Sequence, residues 1–139
     1  MPGWLFVGRD IERAFVENFI TPVKRERWLE LLRTEKGRRK LRASLADFTE
    51  FDPATVVPLP PKQQHASSIF QVLTGLGAPT TCYLISENSE WDATERNLQS
   101  ALQQVVGYGF GTIITCKPGA LAYFEGEGPG HRFILRKSL

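Results

Sequence analysis

The sequence predicts an α+β fold, in which a helical N-terminal layer packs on a small mixed β-sheet built around a β-α-β-β-β unit. Three observations carry this expectation. Apolar residues recur at helical spacing through the first third of the chain, prolines crowd residues 51–64, and beyond them short apolar runs surround one amphipathic helix. At 139 residues, 42% hydrophobic and 23% charged, the chain has the size and composition of one globular domain. Such a chain buries a core without needing disulfides or a structural metal. The expected organisation is a single domain over 1–139, with a helical layer over 1–50, a proline-rich linker over 51–64 and an α-β-α-β-β-β unit over 65–139.

Ile11, Phe15 and Phe19 recur at i, i+4 and i+8, which predicts a first helix with Asp10 as N-cap and Pro22 as its stop. A second helix is expected from about Val23, with Trp28, Leu31 and Leu32 on its apolar face. Gly37 should end or kink it before Leu41, Leu45 and Phe48 resume the period. Pro53, Pro58, Pro60 and Pro61 remove backbone donors and exclude a helix interior, so residues 51–64 read as a surface linker. Within it, Thr55 to Leu59 suits an edge strand, the sheet position that tolerates proline. Ile69, Val72, Leu73 and Leu76 predict a third helix, stopped before Pro79.

Thr81 to Ser86 reads as a buried strand. Asp92 and Glu95 resemble a reciprocal capping pair, and Leu98, Ala101, Leu102 and Val105 form an apolar stripe, so a helix is expected over 93–106. Thr112 to Lys117 and Leu121 to Glu125 flank Pro118-Gly119, a type II turn signal, and His131 to Arg136 reads as a last strand. A strand, a crossover helix and a strand imply that 81–86 and 112–117 run parallel. That would place Glu87, Glu90, Asp92 and the Lys117 turn at one sheet end and Glu125, Glu127 and His131 at the other.

Cys82 and Cys116 lie in the apolar runs TTCYLIS and TIITC, where a thiol behaves as a small hydrophobe. They read as reduced core residues rather than as a disulfide framework or a nucleophile. No basic region precedes the short apolar run MPGWLFV, and no apolar run approaches the roughly 20 residues of a membrane span. The expectation is a soluble, cytoplasmic protein with no membrane association.

Net charge is +2, unevenly distributed: residues 1–50 hold 11 Lys and Arg against 8 Asp and Glu. Lys36, Arg38, Arg39, Lys40 and Arg42 crowd seven positions, enough to attract an acidic protein or nucleic acid through phosphate or carboxylate contacts. Gly107-Tyr108-Gly109-Phe110-Gly111 follows a helix instead of preceding one, the wrong order for a phosphate cradle, and reads as a helix C-cap. Glu87, Trp91, Asp92 and Lys117 form a candidate ligand site at a strand end. The sequence therefore favours a small binding module without catalysis, needing neither metal nor cofactor. Its enzymatic rival is a metal-assisted hydrolase using Glu125, Glu127 and His131, which lack any recognised ligand spacing. An exposed strand edge at Arg132 to Leu135 would allow a homodimer, although the charges there equally discourage edge pairing.

Overall fold

Phe15, Val16 and Phe19 fall on one stripe of α1 (Gly3–Phe19), and all three are fully buried. The computed structural model describes residues 3–137. Because α1 begins at Gly3, Asp10 lies inside the helix and is not its N-cap. Pro22, with its fixed φ, opens α2 (Pro22–Leu32) instead of only ending α1. The helical layer breaks at Arg33-Thr34 and not at Gly37. Thr34 caps α3 (Glu35–Ala43), its Oγ1 accepting the Gly37 amide at 3.0 Å. Gly37 is needed for another reason: a Cβ there would overlap the Leu31 carbonyl, so glycine permits the tight α2–α3 corner.

The linker folds as two 3-10 turns around β1 (Val56–Pro58), an edge strand as expected. There follow α4 (Ala66–Gly75), β2 (Thr81–Ser86), β3 (Thr94–Asn97), α5 (Leu98–Val105), β4 (Thr112–Lys117), β5 (Leu121–Glu125) and β6 (Arg132–Arg136). The six strands form one sheet in the order β1-β6-β5-β4-β2-β3. The molecule is α+β, with the expected helical N-terminal layer. Every hydrogen-bonded pair of strands is antiparallel, whereas β3 and β4 share a direction and flank β2.

The parallel pairing expected of 81–86 and 112–117 is therefore corrected. Strand β3 intervenes where the sequence suggested the first turn of a helix. Ala93, at φ 57°, turns the chain back along β2, and Thr94–Asn97 reverse its direction before α5 starts. The helix cap is accordingly Asn97, whose side chain accepts the Ser100 amide at 3.1 Å, and not Asp92. With β2 and β4 antiparallel, Ser86 lies opposite Thr112, and Thr112 lies opposite Glu125. The loop after β2 thus shares a sheet end with Gly107–Gly111 and Glu125, while Lys117 lies at the other end.

Both sheet faces are covered. Tyr83, Ile85, Ile113, Ala122 and Phe124 pack under α1–α3, and Cys82, Leu84, Ile114, Cys116 and Tyr123 pack under α4 and α5. This explains why β2, β4 and β5 read as continuous apolar runs instead of alternating ones. On the first face a chain of aromatic contacts links Phe15, Phe51 and Phe124, with the Phe51 and Phe124 centroids 4.8 Å apart. Strand β6 is covered by β1, so the exposed edge expected at Arg132 to Leu135 does not exist.

Candidate functional site

Helical periodicity divides the basic cluster of α3 between two faces. Arg38 and Arg42 share the inward face with Leu41, whereas Lys36, Arg39 and Lys40 point outward at i, i+3 and i+4 and are exposed. The inward pair anchors the helix. Arg38 donates in bidentate fashion to Glu12, at 2.7 and 2.6 Å, and also to Asp92, at 2.7 and 3.0 Å. The Glu12 side chain is 5% exposed and that of Asp92 8% exposed, so these are charge-assisted bonds in a largely desolvated setting. Tyr83 donates its hydroxyl to Glu12 at 2.7 Å, and the Ser86 amide donates to Asp92 at 3.0 Å. Arg42 donates to the carbonyls of Ser86 and Glu87 at 2.6 and 3.2 Å. One constellation thus ties α3 to α1, to β2 and to the loop that follows β2.

Consequently Arg38 and Arg42 are not available to a partner, and the basic surface expected of 36–42 is reduced to Lys36, Arg39 and Lys40. None of these three forms an ion pair among the described residues. Beside α3, cavities of about 540 and 290 Å³ open between α1 and the α2–α3 corner, with Glu12 in the wall of both and Arg38 and Tyr83 in the wall of the smaller. They lie at neither of the sheet-end sites that the sequence suggested. Arginines and glutamates alternate in both linings, three of each in the larger cavity, so the groove has no strong preference for either sign of charge.

Of the ligand site expected at the strand end, Glu87, Trp91 and Asp92 stay together in the β2–β3 loop and Lys117 is removed from them. Asp92 is committed to Arg38 and the Ser86 amide, and Lys117 stands at the far end of the sheet beside Gly77. The antiparallel register brings Glu125 and Glu127 to the same sheet end as Glu87, yet Glu125 is withdrawn into the interior. Glu125 is fully buried, accepts from the Tyr123 hydroxyl and the Gly107 amide, and faces Arg132 Nε at 3.1 Å. That last contact is a charge pairing off the hydrogen-bond direction, since Arg132 Nε has no directed partner. Glu127 is exposed and His131 half-buried, and among the described residues no group of three or more His, Cys, Asp or Glu side chains is placed to hold a metal ion.

Burial pushes the Tyr83 and Tyr123 hydroxyls well above their ordinary 10.0, with the adjoining Glu12 and Glu125 carboxylates adding to the effect. For Arg38, burial pulls downward but is outweighed by its bonds to Glu12 and Asp92, and the guanidinium stays charged. Burial raises the Cys82 thiol from 9.0 to about 12 and also raises Cys116, so neither is an activated nucleophile. These shifts predict alkaline lability. The unfolded chain releases the Cys82 proton near pH 9.0 while the folded chain retains it to about 12. The contribution is therefore complete below pH 9 and is lost as pH rises towards 12, at up to about 1.4 kcal/mol per pH unit for each group. Urea unfolding measured from pH 8 to 11 should show this decline, with a shallower slope for Cys82→Ala; equal slopes would contradict it.

Two members of the anchoring constellation, Glu12 and Tyr83, were not anticipated as site residues. The signal for Glu12 lies in the sequence: it stands at i−3, i−4 and i−7 from Phe15, Val16 and Phe19, a carboxylate on an apolar stripe. Tyr83 gives no such signal in a continuous buried strand. Among the described residues no helix is long and apolar enough to cross a membrane. No family model, curated protein or solved structure matches the chain.

Proposed function

We propose that this domain is a binding module that engages an acidic protein segment through Lys36, Arg39 and Lys40 on the outer face of α3. The observation that carries this reading is the division of one basic cluster into two arginines that anchor the helix and three outward cations without ion-pair partners among the described residues. A helix tied through Arg38 and Arg42 presents those cations from a fixed backbone, which lowers the ordering cost of binding. A protein segment is favoured over nucleic acid because the three cations lie within one short helix and offer no extended basic track for a phosphate backbone. A short acidic segment fits the span of one helical face.

Fluorescence anisotropy with a labelled pentaglutamate peptide and with a 20-nucleotide duplex tests this directly. The peptide is expected to bind, to weaken as salt rises from about 50 to 200 mM, and to lose affinity at least tenfold with K36E/R39E/K40E. These side chains are exposed, so thermal unfolding should be unchanged. Binding of the duplex with a salt slope near −2.7, as about three phosphate contacts give, and no binding of the peptide would assign nucleic acid instead.

A further inference from the structure

A second surface, of opposite charge, lies at the sheet end where the antiparallel register gathers three loops. Tyr108 is 66% exposed and Phe110 42% exposed, two of the few large hydrophobic side chains left open to solvent. Both stand on the connection from α5 to β4, where Gly107 and Gly109 adopt φ of 92° and 78°. Trp91 meets the Phe110 ring edge-on, with centroids 5.8 Å apart. Trp91, partly buried against the core, and Phe110 thus join the β2–β3 loop to the α5–β4 loop, and Tyr108 stands two positions from Phe110 on the same connection.

Four acidic residues stand in the loops next to this aromatic patch. Glu87 donates its amide to the Gly111 carbonyl at 2.9 Å, and the Glu127 carbonyl lies 4.0 Å from where a Cβ on Gly109 would stand. The Glu127 amide in turn donates to the Ala46 carbonyl at 2.7 Å, which brings Asp47 to the same rim, and Glu90 immediately precedes Trp91. None of Asp47, Glu87, Glu90 and Glu127 forms an ion pair among the described residues. Two guanidinium groups adjoin the same loops, Arg42 donating to the Ser86 and Glu87 carbonyls and Arg96 bonding Thr94, Gln104 and the Glu90 carbonyl, so the four carboxylates outnumber the cations beside them.

From these observations we propose that the Trp91–Tyr108–Phe110 patch is a docking site for a cationic side chain, lysine or arginine, of a partner protein. Aromatic faces attract a cation through their quadrupole, and the rim of carboxylates supplies the complementary long-range field. The buried Glu125 holds this loop in place by accepting the Gly107 amide at 2.8 Å, so the rings are presented from a fixed hinge. This surface is separate from the outer face of α3 and does not depend on the reading of that face.

The test is an NMR titration of the full chain with pentalysine carrying blocked termini, followed through the Trp91 indole and the Gly107, Gly109 and Gly111 amides. Shifts confined to these groups are expected, with pentaglutamate leaving them unmoved. Tyr108→Phe should retain affinity and Tyr108→Ala should lose about two- to fivefold, the worth of one exposed cation–π contact. Replacing Glu87, Glu90 and Glu127 by glutamine should weaken binding further and flatten its salt dependence. The proposal is overturned if pentalysine leaves the loop amides unmoved, or if Tyr108→Ala binds as Tyr108→Phe does. It is equally overturned if sedimentation without peptide shows a dimer that Tyr108→Ala dissociates, because the occupant would then be a second copy of the chain.

Discussion

Arg38→Ala should destabilise the fold by about 3–5 kcal/mol, the range for removing one partner from a buried ion pair. The deletion leaves the Glu12 and Asp92 carboxylates, 5% and 8% exposed, without their shared cation. It also removes four charge-assisted hydrogen bonds that hold α3 against α1 and the β2–β3 loop. Arg38→Lys should recover only part of the loss, because an ammonium lacks the planar fork that serves two carboxylates at once. Guanidinium unfolding of the two variants measures both quantities. A loss below about 1 kcal/mol for Arg38→Ala would show that the cluster is solvated and contributes little. Combining Arg38→Ala with Glu12→Gln should cost less than the two changes added together, since each removes part of the same charge imbalance.

Glu125→Ala is the second large effect, expected at about 3–5 kcal/mol for the same physical reason. Glu125 is fully buried and accepts from the Tyr123 hydroxyl and the Gly107 amide, and Arg132 is its counter-charge. Removing it strands a buried hydroxyl, a backbone amide and a largely buried guanidinium together. Glu125→Gln should cost less, since the amide oxygen still accepts one of the two hydrogen bonds while its NH2 group faces Arg132 unfavourably. The same variant should loosen the 107–111 connection, visible as faster amide exchange at Gly107 and Gly109. Equal stability of Glu125→Ala and the parent chain would contradict a structural role for this carboxylate.

Much of the fold was legible because it depends on local periodicity. Phe15 and Phe19 marked α1, Leu98, Ala101, Leu102 and Val105 marked the buried face of α5, and the prolines of 51–64 marked an edge strand within a surface segment. Strand β3 was not legible. Thr94-Glu95-Arg96-Asn97 carries no apolar residue, and an acidic residue three positions after Asp92 imitates a capping pair as well as it suits an exposed edge strand. That one misplaced element reversed the inferred direction of β4 relative to β2 and separated Lys117 from the loop with which it had been grouped.

The basic segment shows the same division. Composition alone ranks Arg38 and Arg42 with Lys36, Arg39 and Lys40, but their positions relative to Leu41 and Leu45 together place the first two on the buried face. Read with the helical period, the sequence contains that distinction and also places Glu12 on a buried stripe. What it does not contain is the pairing: Asp92 lies 54 positions from Arg38 and Tyr83 lies 71 from Glu12.

Side-chain spacing within a few residues was enough to reveal the α+β class, the helical N-terminal layer and the apolar face of each main helix. Tertiary structure alone decided strand direction, the commitment of Arg38 and Asp92 to each other, and the meeting of Trp91 with Phe110. The physical reason is range. A period of 2 or 3.6 is written in neighbouring residues, whereas a buried charge finds its partner only when desolvation makes an unpaired one too costly, and folding brings that partner from elsewhere in the chain.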